Sequence, residues 1–308
     1  MSRNLFFCSE LSRRAGERVY GTASTGGVWL LVDYPFAWGA KALEESNLTP
    51  AIKAGIGKLM KSVPGSRLLF VKRGAYCAGP ISAFAVRCRE RRPFAVRFEL
   101  EDYRDLPGLD LAAVAAGEVP AGGERLGGPL FLVCTHGKRD KCCAKFGNAL
   151  FKDLSESDGE AVWQSSHVGG DRFAANLVCF PHGVFYAHTT GEEGRRAVEE
   201  YRAGRLVLDK YRGRACYSHP VQAAEYFVRA ETGLVGLDDL RALRAEKAGE
   251  RSWLVTFLAP ERGLLYQAAV NSRPSDFVNP ITCHSAEEKP VPQFHLESFR
   301  ATAHRPAG

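Results

Sequence analysis

Apolar residues fall in short bursts along the chain. Their period switches from two to nearly four and back, which predicts a mixture of strands and helices. Val28–Asp33 (VWLLVD) reads as a strand closed by the break at Tyr34-Pro35. Thr49-Pro50 supply an N-cap and a first-turn proline, so a helix is expected there, with Ile52, Ile56, Leu59 and Met60 on its apolar face and Gly65 as its stop. Arg67–Lys72 (RLLFVK) and 95–100 (AVRFEL) read as strands, and 109–116 as a short helix. The Gly-rich stretch 120–128 (PAGGERLGG) marks a boundary.

Beyond that boundary Leu130–Cys134 is an apolar strand and 142–155 a helix with Phe146, Leu150 and Leu154 on one face. Strands follow at 161–165, 176–180 and 184–188, then a charged amphipathic helix at 192–203 whose polar side reads as a solvated face. A strand, a helix, a hairpin and a closing helix is the grammar of a thioredoxin-like half. The first block shares its strand–helix–strand–strand order, so a degenerate duplication is expected. The third block predicts helices at 220–232 and 238–248 and strands at 253–258, 264–270 and 294–299. The expected class is α/β, α+β overall, with domains at 1–126, 127–213 and 214–308.

Composition narrows the function. A chain of 308 residues, 45% hydrophobic and 25% charged, is neither disordered nor fibrous and has room for two or three domains. The net charge of +6, from 41 basic and 35 acidic residues, allows an acidic partner. No Lys/Arg run interleaves with aromatics as a base-stacking groove requires, so no nucleic-acid partner is expected. No apolar stretch approaches the roughly 18 residues of a membrane span, and the patch Leu5 to Cys8 is too short for a signal-peptide core. The expected compartment is therefore the cytoplasm, where thiols stay reduced. Of nine cysteines, three lie within ten residues, which makes metal or redox chemistry the first question.

Those three lie in Cys134-Thr-His-Gly-Lys-Arg-Asp-Lys-Cys142-Cys143, directly after an apolar strand and before a helix. Loops at the carboxyl ends of strands are where open α/β sheets present functional groups. Cys134 and Cys143 enclose eight residues, enough for the loop to fold back and bring both thiolates to one metal. Lys138, Arg139, Lys141 and the helix N-terminus near Cys142 favour thiolate. A second cluster, Ser165-Ser-His167-Val-Gly169-Gly170-Asp171-Arg172-Phe173, also follows a strand. His167 and Asp171 have the His-x₃-ligand spacing common at metal sites. Gly169 and Gly170 let the backbone take positive φ and approach an anionic centre closely. Two cysteines from one loop, with His167 and one more donor from the other, make a four-ligand site.

The runs VCTHGKRDKCCAKFG and WQSSHVGGDRFAANLVCFPHG resemble the sucrase/ferredoxin-like family, thioredoxin-like ferredoxins that carry a [2Fe–2S] cluster. GTASTGGVWLLVDYPFAWG and YSHPVQAAEYFVRAETG extend the likeness on both sides. The resemblance implies a thioredoxin-like ferredoxin domain between an N-terminal α/β domain and a small C-terminal α+β unit. The family's first loop, C-[ST]-H-x₂-R-D-x₂-C, places ligands at Cys134 and Cys143, with Cys142 as an extra neighbour. Its second loop in eukaryotic members is H-x-G-G-H, both histidines being ligands. This chain has His167 but departs at Asp171. With Asp171 bound, two thiolates and a carboxylate outweigh the cluster's two positive charges and lower its potential; with two histidines the oxidised site would be neutral. Alternatively Asp171 pairs with Arg172 or Arg139, and Cys142, His136 or His182 supplies the fourth ligand, or the cluster is absent.

Around the ligands, His136 is expected to support them and Arg139 to pair with Asp140 in fixing the loop. Cys8, Cys77, Cys88, Cys179, Cys216 and Cys283 read as small buried hydrophobes. The leading expectation is a one-electron carrier serving an acidic redox partner such as a flavoprotein reductase, with the oligomeric state left open. A zinc-binding structural or regulatory module is the alternative, since thiolate and imidazole also suit Zn²⁺. A thiol oxidoreductase is the third, although adjacent Cys142-Cys143 is not the C-x-x-C arrangement. Sucrose hydrolysis needs two placed carboxylates, and no pair of acids in strand-end loops supplies them.

Overall fold

Two half-sheets of the same design meet edge to edge in a computed structural model that describes residues 6–73, 79–285 and 287–304. After a short helix α1 (Cys8–Arg14), the first half runs β1 (Val28–Asp33), α2 (Pro50–Ser62), β2 (Arg67–Lys72), β3 (Ile81–Arg87), β4 (Phe94–Leu100), α3 (Leu111–Ala116) and β5 (Gly123–Arg125). The second runs β6 (Leu130–Cys134), α4 (Lys141–Asp158), β7 (Val162–Ser165), β8 (Leu177–Phe180), β9 (Val184–Tyr186), α5 (Gly191–Arg202) and β10 (Tyr211–Arg214). In each half the first strand pairs in parallel with the second and antiparallel with the third, and the third with the fourth. The result is one ten-stranded sheet, β10-β9-β8-β6-β7-β2-β1-β3-β4-β5.

The seam between the halves positions the site. β2 and β7 pair antiparallel only at their carboxyl ends, Val71 opposite Ser165 and Lys72 opposite Gln164. Strand-end loops of both halves therefore converge there. The local sequence supports each element. All five residues of β6 are buried, as expected for a strand covered on both faces. Cys143, Gly147, Leu150 and Leu154 recur at helical spacing on the buried side of α4. Thr49 caps α2 and a Thr190–Glu193 capping box opens α5.

The third unit differs from the expectation. Its helix α6 (His219–Thr232) packs on a four-stranded antiparallel sheet of β11 (Arg241–Lys247), β12 (Ser252–Ala259), β13 (Leu264–Asn279) and β14 (Lys289–Ala303). The segment 238–248, expected to be a helix, contains β11 instead. Its Ala, Leu, Arg, Glu and Lys favour helix in isolation, but pairing along β12 overrides that propensity. Its charges make a protected edge. The chain also contains α1, β3, β5 and β10, which the periodicity did not reveal. β3 is apolar on both faces and lacks alternation, while α1 has no side-chain cap and depends on tertiary packing. Cys77 lies outside the described residues. No described helix is long and apolar enough to cross a membrane.

The third unit is fastened to the large sheet by buried charge. Glu225 of α6 accepts from Arg214 Nε of β10 at 2.9 Å and from Arg229 Nη2 at 3.0 Å, and Tyr211 donates to the same carboxylate. The remaining guanidinium donors reach the carbonyls of Leu234, Gly236 and Leu237. All three ionic side chains are inaccessible, so each is stable only while its partners remain. Glu225→Ala strands two buried guanidiniums and should cost about 3–5 kcal/mol in urea unfolding. A loss below about 1 kcal/mol would contradict this role.

Candidate metal centre

The site is built at the carboxyl ends of β6 and β7. These strands pair in parallel with Cys134 opposite Ser165, so the loops that leave them run side by side. Cys134 ends β6; the chain turns through 135–139, and Asp140 caps α4 by accepting the Cys142 N–H at 2.8 Å. Cys143 then sits in the first helical turn. Gly147, one turn on, lets α4 lie directly on the strand end, because a methyl group there would overlap the Cys134 carbonyl oxygen. In the second loop Ser166 extends the seam: its N–H donates to the Phe70 carbonyl at 2.7 Å, and its hydroxyl accepts the Phe70 N–H at 2.9 Å. Gly169 and Gly170 adopt φ of +95° and +84°. Their carbonyls accept from buried Arg212 at 3.0 Å and from Asn176 at 2.9 Å, which holds the loop from behind.

These constraints gather the expected donors. The sulfurs of Cys134 and Cys143 and a ring nitrogen of His167 lie within 4.8 Å of one another. Both cysteines are inaccessible. Asp171 Oδ1 stands 3.2 Å from His167 Nδ1 and 4.0 Å from Cys143 Sγ. His167 Nδ1 is buried and faces that carboxylate. The electrostatics describe a centre rich in electron-pair donors. The Cys143 thiol hydrogen-bonds Cys134 and holds it well below the ordinary thiol range, while the same contact, with burial, pushes Cys143 up. Burial opposes a charge on His167, but Cys134 and Asp171 outweigh it and raise the imidazole. Burial lifts Asp171 to about 6. A bound cation would compensate both thiolates and the carboxylate at once. The donors therefore fit a metal centre.

Several expected roles change. His136 is no ligand in this arrangement, because its Nε2 donates to the Gly39 carbonyl at 2.7 Å and its Nδ1 accepts the His167 N–H at 3.1 Å. Those partners fix its tautomer and make it a clamp between the loops. Arg139 is exposed and forms no ion pair with Asp140; that carboxylate is buried and committed to backbone N–H groups of Cys142 and Cys283. Asp171 is not paired with Arg172, which binds Glu17 at 2.6 Å. His182 is bonded to Tyr201. Cys142 turns away from Cys143 and joins Cys8, Cys283 and Asp140 in a second donor group. Cys8 and Cys283, read from sequence as plain hydrophobes, are thus half of a cluster. They are 275 positions apart, and no local motif links them. Cys88 and Cys179 are buried, Cys216 is half-buried, and none joins a donor group among the described residues.

The model of the sucrase/ferredoxin-like family matches residues 19–213. Altered inheritance of mitochondria protein 32 from Meyerozyma guilliermondii is 33% identical over 95 residues. That match spans 27% of this chain and about a third, 34%, of the yeast protein. Among solved structures, the Cys55Ser and Cys59Ser variants of the thioredoxin-like [2Fe–2S] ferredoxin from Aquifex aeolicus align at 17% identity and a TM-score of 0.24. Each alignment covers 27% of this chain and 97% of the ferredoxin.

The seat of α4 can be tested without any metal. Alanine in place of a helical glycine ordinarily stabilises by about 1 kcal/mol. Gly147→Ala should instead destabilise by about 1–3 kcal/mol in denaturant unfolding, because α4 must lift off the Cys134 carbonyl. Unchanged or increased stability would show that the helix does not bear on the strand end.

Proposed function

The chain belongs to the sucrase/ferredoxin-like family, and on that premise we propose that it is a one-electron carrier whose [2Fe–2S] cluster is held by Cys134, Cys143, His167 and Asp171. The observation that carries this reading is the convergence of two buried sulfurs and a ring nitrogen of His167 within 4.8 Å, beside a carboxylate. When bound, the cluster takes up and gives back a single electron.

The chain's own residues set the conditions. β6, β7 and α4 shut water away from the thiolates, which strengthens electrostatic interactions at the centre. Asp171 adds a negative charge where an imidazole would be neutral, and so disfavours an added electron. His136 clamps the two loops in register. His167 is the outward edge of the centre, with its side chain 20% exposed. It borders a surface groove that also contains Lys41, Leu43, Glu44, His136 and Arg139. That groove is the proposed docking place for a redox partner such as a flavoprotein reductase, where Lys41 and Arg139 suit an acidic surface. The thiol-exchange alternative loses its adjacent pair, because Cys142 and Cys143 belong to separate donor groups.

Protein purified without oxygen should hold about two iron and two sulfide per chain, with a brown chromophore that dithionite bleaches. Cys134→Ser, Cys143→Ser and His167→Ala should each abolish retention. Full colour and unchanged iron in these variants would overturn the assignment, and zinc that replaces iron and is lost in Cys134→Ser and His167→Ala would replace the carrier by a zinc module. Asp171→His should keep the cluster and raise its potential, by about 100 mV in voltammetry. An unchanged potential would remove Asp171 from the ligand set.

A further inference from the structure

The second donor group joins three parts of the chain that are unconnected in sequence. Cys8 opens α1, Cys142 lies in the first turn of α4, and Cys283 lies between β13 and β14. Their sulfurs form a nearly equilateral triangle, with edges of 3.6 Å from Cys8 to Cys142, 3.3 Å from Cys142 to Cys283 and 3.4 Å from Cys283 to Cys8. A disulfide would draw two sulfurs to about 2.05 Å and leave the third aside. A tetrahedral ion with metal–sulfur bonds of about 2.3 Å spaces its sulfurs by about 3.8 Å, close to this triangle.

A fourth donor stands over the triangle. Asp140 presents Oδ2 and Oδ1 at 3.9 and 4.0 Å from Cys8 Sγ, and all four donor atoms lie within 4.8 Å of one another. The backbone is arranged for negative charge. The Ser9 N–H points at Cys142 Sγ at 3.5 Å and the Cys8 N–H at Cys283 Sγ at 3.4 Å. The Cys142 and Cys283 N–H groups orient the carboxylate at 2.8 and 2.7 Å. Each Asp140 oxygen has a further lone pair for an ion. Cys8 and Cys142 are buried while Cys283 is partly exposed, which gives an entry side.

We propose that Cys8, Cys142, Cys283 and Asp140 form a zinc site, separate from the Cys134–Cys143–His167 centre. Thiolates with a hard oxygen donor in closed tetrahedral array are a structural zinc set, and zinc is redox-silent. Its place in the fold defines its work. It staples α1 and the β13–β14 connection to the first turn of α4, whose next residue is Cys143. The ion thus ties the amino-terminal helix and the carboxyl-terminal unit to the loop of the first centre, and its binding energy adds to folding.

The test uses the full chain, and His167→Ala silences the other centre whatever metal it takes. Zinc and iron are measured by mass spectrometry in wild type, Cys283→Ser and His167→Ala. The expected pattern is about one zinc per chain in wild type and His167→Ala. Zinc should fall at least about tenfold in Cys283→Ser, while any iron falls only in His167→Ala. Chelator-stripped His167→Ala should bind Co²⁺ with sulfur-to-cobalt charge-transfer bands that vanish when Cys283→Ser is added. Zinc retained in Cys283→Ser, iron in place of zinc at this site, no uptake of zinc or cobalt by wild type, or a disulfide joining any two of these sulfurs in unreduced protein would each overturn the proposal.

Discussion

How α4 begins decides where the chemistry can be. Asp140 is fully buried, and its carboxylate accepts the Cys142 N–H of its own helix and the Cys283 N–H of a segment 143 positions away. A buried carboxylate without such donors would be costly. With them it fixes the helix start and the loop geometry together. Because consecutive residues on a helix point about 100° apart, adjacent Cys142 and Cys143 are sent to different faces. One sulfur meets Cys134 and His167, and the other meets Cys8 and Cys283. The helix that this cap starts divides one run of cysteines between two donor groups.

The rest of the architecture holds this corner from outside. The β2–β7 seam pairs strand ends only, so the loops of two half-sheets crowd together. His136 bridges them by reaching Gly39 of the first half and the His167 backbone of the second. Arg212, buried on β10, closes the same loop from behind through Gly169 and Asn176. A methyl group on Gly170 would lie 2.5 Å from its Nη2, so the glycine there is a packing requirement as well as a backbone one. The Glu225 network then anchors the third unit to β10, one residue pair from Arg212. Buried polar contacts therefore tie β10 to the proposed cluster loop through Arg212 and to α6 through Arg214.

Much of the first centre was legible in the sequence because its signals are local. Cys134 and Cys143 flank one loop, His167 and Asp171 flank another, and the apolar bursts before each loop identify strands that place them side by side. The glycine pair announced its positive φ. Errors arose where tertiary contacts overrule local pattern. The segment that forms β11 has helix-forming residues, yet an antiparallel partner draws it into a sheet. Arg139-Asp140 looked like an ion pair because opposite charges were adjacent, but the carboxylate is claimed by backbone N–H groups. Cys8 and Cys283 carried no signal at all, since only the folded chain brings their sulfurs to Cys142.

The central claim is that one imidazole and one carboxylate, rather than two imidazoles, complete the cluster. Pulsed EPR of the dithionite-reduced protein, prepared with ¹⁵N-labelled histidine, tests it most directly. Strong nitrogen coupling from a single histidine is expected, doubled in Asp171→His. Coupling from two histidines in the wild type, or from none, would contradict it.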